Sequence, residues 1–276
     1  MLDGVILLWF VLAALAVAFV AIDIRNTPES PVLKWGFVLL TAYTGVVGAF
    51  LYVLGCREPL PGTHEQYTAA RWRQTLGSTM HCVAGDGVGI LVGAVLSSLL
   101  GLTGLAEVAL EYLLGFGFGW TIFQALFMRE AAGGSYSVAL RRTFIPELLS
   151  MNLLMAGMVP TAMMLRRHVD RAADPAHARF WFVMSMALLV GFMVAYPMNW
   201  WLVANHLKHG MMTVRPKEAA GMAMPMGSDG GAVAGGHGGM AGMAMDKADK
   251  RSPSVATMTV LSFVALAAGL ALAFVA

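Results

Sequence analysis

Polar residues along this chain are scarce and clustered, and the apolar stretches between the clusters have the length of bilayer crossings. Uncharged runs occupy 4–22, 35–54, 148–165, 180–205 and 252–276. Each is about 18 residues or longer, enough to cross a hydrocarbon core of about 30 Å as a helix. The stretch 87–128 is interrupted only by Glu107 and Glu111. One straight helix of that length would span about 63 Å at about 1.5 Å per residue, so Gly101-Leu102-Thr103-Gly104 reads as a break between two helices. The pattern predicts an all-α, polytopic transmembrane bundle of about seven spans, at 4–22, 33–55, 77–100, 104–128, 144–165, 180–204 and 255–275. Residues 1–206 form a six-span membrane domain, 207–253 a flexible Met/Gly/His-rich loop, and 254–276 a C-terminal transmembrane helix.

Composition agrees with a bilayer as the surrounding solvent. Charged residues make up 12% of the chain and hydrophobic ones 58%, about half the charge of an ordinary soluble domain. The first apolar run starts Met1-Leu2-Asp3, without a basic leader or a clean small-x-small cleavage site, and reads as a retained helix. A net charge of +2 gives no indication of a nucleic-acid partner. Cys56 and Cys82 stand apart, in no C-x-x-C pair, and give no ground for arguing a disulfide between them. Trp72 between Arg71 and Arg73, and Trp200-Trp201, suit the headgroup region. Gly85, Gly89 and Gly93 have the small-xxx-small spacing of close helix packing.

The candidate chemistry is metal binding by soft ligands. The long loop carries Met222, Met224, Met226, His237, Met240, Met243 and Met245 among Gly and Ala, preceded by Met211 and Met212. Thioethers suit Cu(I) above other ions, and a flexible backbone can fold several around one ion. The plainer alternative is a linker that happens to be Met-rich. In the third predicted span Ser78, Cys82 and Asp86 share one helical face, with His81 at its shoulder. Ionisable groups inside a span usually mark a pathway or binding site, and Cys, His and Asp together suit a transition metal. The fifth span places Glu147, Met151, Met155 and Met158 along one stripe, beside Asn152, either an ion path or ordinary core. His206 and His209 follow the sixth span at a spacing that would chelate one ion if the helix continued. No phosphate-binding loop, catalytic triad order or H-E-x-x-H helix is present, so the enzymatic signal is weak.

Two orientation arguments conflict. With seven spans, short connectors divide their basic residues evenly, and the long loop's lysines and arginines favour its placement in the cytoplasm. Thioether ligands are most useful in an oxidising space, which favours the opposite. The expectation drawn is a multi-pass bacterial inner (cell) membrane protein with an extracytoplasmic Met-rich loop.

Trp72-Arg73, then Ser78-Thr79-Met80-His81-Cys82 and Gly85, then Tyr196-Pro197-Met198-Asn199-Trp200-Trp201-Leu202-Val203 and Lys208-His209-Gly210, resemble an uncharacterised bacterial membrane-protein family, domain of unknown function 4396. The likeness covers roughly 5–212. It implies a helical membrane architecture and singles out His81 and Cys82, but supplies no activity. Members of that family often have a further Cys where this chain has Asp86, which makes Asp86 the substitute to test.

Two functions fit these readings. One is Cu(I) capture, transport or homeostasis, with loop methionines feeding an intramembrane site of His81, Cys82, Asp86 and Met151, and a copper chaperone as a possible partner. The other is a haem-binding or assembly subunit of a membrane redox complex, with His81 and His206 as haem ligands.

Overall fold

The computed structural model describes residues 2–129, 134–211 and 252–275, all helix and connector with no strand among them. Among the described residues, six helical stretches are long and apolar enough to cross a membrane. They are α1 (Leu2–Asp23), α5 (Arg71–Leu100), the α6 segment (Leu105–Phe118) with its continuation, α8 (Tyr136–His168), α9 (Ala178–Ala204) and α10 (Val255–Val275). The short helix α4 (His64–Thr68) precedes α5. Gly101, at φ 67°, ends α5, and Gly104, at φ 65°, starts α6, so the hairpin falls where the glycines predict it.

The second predicted span, 33–55, is not a crossing. It divides into α2 (Pro31–Thr44) and α3 (Val46–Gly55), limbs of about 21 and 15 Å at about 1.5 Å per residue, each too short for a core of about 30 Å. Gly45 makes the reversal at φ 60°, ψ −134°, a conformation open to glycine and costly for other residues. A side-chain carbon on Gly48 would stand 2.6 Å from Thr41 Cα, so only glycine lets the limbs touch. The returning limb brings the Tyr52 hydroxyl 2.7 Å from Asp23 Oδ2 and its ring 5.5 Å from that of Phe37. Arg57 then pairs with Asp23 at 2.9 Å. The segment is a re-entrant hairpin that leaves on the side it entered, with its irregular turn at Gly45 buried as non-helical backbone at membrane depth must be. Hydropathy misreads it because both limbs are apolar and only the turn is irregular.

Among the described residues, six candidate crossings therefore replace the seven expected. Pairings at the two faces agree with that count. Asp3 meets Arg179, Glu107 meets Arg166, and Arg167 donates to the Ala273 carbonyl on one face. Asp23 meets Arg57, and Tyr196 donates to the Trp72 carbonyl on the other, which also receives both ends of the hairpin and the segments leading into and out of the long loop.

Lipid offers no hydrophobic drive for helices to associate, so close approach and interior polar contacts hold such a bundle together. Added side-chain carbons at Gly89 and Gly93 would run into the α6 backbone at Leu114 and Glu111, and one at Gly85 would meet the Phe123 ring at 2.7 Å. The predicted small-xxx-small stripe thus packs α5 against α6 and its continuation. Gly269 brings α10 against the Ala156 backbone of α8 in the same way. Outward positions such as Leu7, Leu15, Val260 and Leu272 are exposed and apolar, as a lipid-facing surface requires.

Candidate intramembrane site

The third predicted span holds its face as the spacing implies: Ser78, Cys82 and Asp86 are buried along α5, with His81 buried beside them. His81 lies against the Phe123 ring at 5.7 Å between centroids. Opposite this face, α6 passes into a π-helical turn, Gly119–Ala125, before resuming as α7 (Leu126–Met128). Such turns cluster at functional sites because they re-aim side chains within a helix. This one brings Gln124 inward, where its amide donates to Cys82 Sγ at 3.0 Å. It also sets Gly119 against two acids. A carbon added there would lie 2.8 Å from Glu147 Oε1 and would overlap Asp86 Oδ1.

Glu147 comes from α8, one residue beyond the helical Pro146. It is fully buried and accepts the Cys82 thiol at 3.1 Å. Its counter-charge arrives from outside the spans. α9 ends at Ala204, and the chain then reverses: His206 N–H donates to Val203 O and Leu207 N–H to Leu202 O, with His206 at φ 56°. Paired bonds of this kind close a helix at a left-handed residue, usually glycine. The reversal sends Lys208 back into the bundle. Its ammonium donates to Glu147 Oε2 at 2.9 Å and to Cys82 Sγ. Met211 completes the connector by seating against Gly55 and Gly77.

A second polar line runs beside the first. Tyr112 donates to Asn152 Oδ1 at 2.7 Å, and Asn152 donates to Ser262 Oγ at 3.0 Å, tying α6, α8 and α10. Met151 and Met155 lie in the main apolar core. Met151 also reaches the contact of α5 with α6: a carbon on Gly115 would meet both its Cε at 2.8 Å and the Asp86 backbone carbonyl at 3.3 Å.

The bundle therefore brings Cys82 and Asp86 together with Glu147, keeps His81 and Met151 at the margin, and leaves Met155 one turn further along the core. His206 and His209 are exposed; the helix does not continue through them, so their expected i, i+3 chelation is replaced by a turn. Met222, Met224, Met226, His237, Met240, Met243 and Met245 lie outside the described residues. Sequence reading missed Gln124 and Lys208 as site members. Gln124 carried no signal beyond being polar in an apolar run, whereas Lys208 sat two residues beyond His206 and looked like part of a solvated loop.

A family model described as Domain of unknown function (DUF4396) matches residues 71–208, half of the chain. The chain belongs to this family. No curated protein and no solved structure matches it. The matched segment begins with α5 and ends on Lys208, so the DUF4396 region contains Cys82, Asp86, Gln124, Glu147 and Lys208. The re-entrant hairpin, the Met-rich loop and α10 fall outside it.

Proposed function

We propose that this protein binds Cu(I) within the membrane, at Cys82 with Asp86 and Glu147, and that its Met-rich loop gathers the ion. The observation that carries this reading is the buried Lys208 ammonium held by a thiol sulfur and a carboxylate. A pocket that holds one cation with sulfur and oxygen inside a bilayer suits another of the same charge. Cu(I) prefers sulfur, and the Met151 thioether stands close by. Entry of Cu(I) as Lys208 withdraws along its connector would exchange one positive charge for another, so the net charge of the pocket changes little. That economy matters where an unpaired charge costs several kcal/mol, on the order of 3–5 kcal/mol when a buried partner is removed.

Anaerobic titration of the detergent-purified protein with Cu(I), against a chromogenic chelator, tests this. The intact chain is expected to hold one tightly bound ion that Cys82→Ala loses and that deletion of 212–251 retains. Lys208→Ala is expected to bind at least as tightly, because the competing cation is gone. Equal binding by the intact chain and Cys82→Ala, or none by either, overturns the reading. A Soret band in the purified protein would favour haem instead, through His81.

The same proposal places the protein in a bacterial inner membrane with the Met-rich loop facing the cytoplasm, reversing the expectation drawn from redox chemistry. The re-entrant hairpin supplies the reason. With six crossings, Arg25, Lys34, Arg57, Arg71, Arg73, Arg129, Arg141 and Arg142 fall on the loop's face, and only Arg166, Arg167, Arg171 and Arg179 on the other. The even division of the short connectors disappears, and basic residues near span ends favour the cytoplasmic side. Cu(I) is also the stable copper state in a reducing compartment. Cys56 and Cys82 are buried, so a Ser228→Cys variant gives a clean label. An impermeant maleimide is expected to react in inverted vesicles and not in intact spheroplasts; the reverse pattern puts the loop outside.

A further inference from the structure

We infer a second metal site, for a divalent ion of the Zn2+ class, at the base of the re-entrant hairpin, formed by Glu29, Cys56 and His64. Among the described residues, these three bring one carboxylate oxygen, one thiol sulfur and one imidazole nitrogen within 4.8 Å of one another. All three are buried, with Cys56 and His64 at 0% exposure and Glu29 at 4%. The Glu29 Oε1 to His64 Nε2 separation is 3.9 Å. Donors around a tetrahedral ion with bonds of about 2.0–2.3 Å stand about 3.3–3.6 Å apart, so the three would draw in from within 4.8 Å to bind one ion.

The site is built by the topology, since the three donors are far apart in sequence. Glu29 precedes α2, Cys56 is the first residue after α3, and His64 opens α4. Each is aimed by a neighbouring bond. Glu29 Oε2 accepts the Ser30 N–H at 3.2 Å, which turns Oε1 toward the imidazole. The Cys56 N–H is fixed to Tyr52 O at 2.9 Å. Glu58 Oε1 accepts the N–H groups of both Gly62 and His64, at 2.7 and 3.0 Å, folding the 57–63 connector so that His64 returns to Cys56. One sulfur, one nitrogen and one oxygen form a borderline donor set, suited to Zn2+ and its substitute Co2+. Three protein ligands leave a fourth position for water or another donor. A bound ion would pin the two ends of the hairpin to α4 and hence to the start of α5, the helix that carries Cys82.

This inference does not depend on the copper reading, and the two separate by experiment. The full-length protein in detergent is titrated with Co2+, whose bond to a thiolate gives an intense near-ultraviolet charge-transfer band, and then with Zn2+. The expected result is one equivalent of Co2+ with that band, bleached by Zn2+. Cys56→Ser is expected to lose the band, His64→Gln to weaken Co2+ binding at least tenfold, and Cys82→Ala to keep both. Absence of the band from the parent protein overturns the site irrespective of how any variant folds. A band that persists in Cys56→Ser and vanishes in Cys82→Ala also overturns it, assigning the ion to the intramembrane thiol.

Discussion

Glu147→Gln is expected to destabilise the bundle by about 3–5 kcal/mol, the range for removing one member of a buried charge pair. The loss arises because Lys208 would be left with its charge at a site where both partners are nearly sealed, at 3% and 0% side-chain exposure. Lys208→Met should cost a similar amount, because Glu147 would then face Asp86 without a counter-charge. The Glu147→Gln/Lys208→Met double variant should recover much of that loss, since neutral groups of similar volume avoid the desolvation that the ion pair must offset. Reversible unfolding in mixed detergent micelles measures all three. Two single losses that simply add in the double variant would mean that the pair is not the unit described.

Gly119→Ala is the second large effect, expected at about 1–3 kcal/mol from overpacking together with loss of Cu(I) binding. The added methyl would occupy the space of the Asp86 carboxylate and press on Glu147. Glu147 cannot retreat without loosening its contacts to Cys82 and Lys208. The control is Gly117→Ala, two residues earlier in the same helical stretch, where an added carbon meets nothing within 4 Å. That change should be neutral or slightly stabilising, because alanine favours helix by up to about 1 kcal/mol over glycine. Equal effects at the two positions would show that the π-helical turn tolerates a side chain and that the acids are not held as described.

Both predictions depend on contacts between helices distant in sequence, and this marks how far the chain could be read alone. Spacing on one helix was enough to align Ser78, Cys82 and Asp86, since a 3.6-residue repeat fixes which side chains share a face. Glu147 was visible as a charge heading a methionine stripe, and that stripe, Met151, Met155 and Met158, is apolar core. Gln124 was invisible because its inward aim comes from a π-helical turn among Gly and aromatic residues, which no local periodicity announces. Lys208 was hidden by the left-handed turn at His206, at a position where glycine would have given warning.

The sequence by itself determined that the chain is a helical membrane protein, where most helices lie, and which face of α5 is polar. Those properties follow from local composition, because a bilayer admits only helices and closed barrels. Tertiary structure alone decided that 33–55 turns back on itself, that Lys208 rather than the neighbouring histidines enters the bundle, and that Glu29, Cys56 and His64 meet. Each of these depends on the direction in which a chain leaves a turn. Two or three backbone angles set that direction, and the packing of distant helices selects them, so the local pattern of apolar and polar residues carries no record of it.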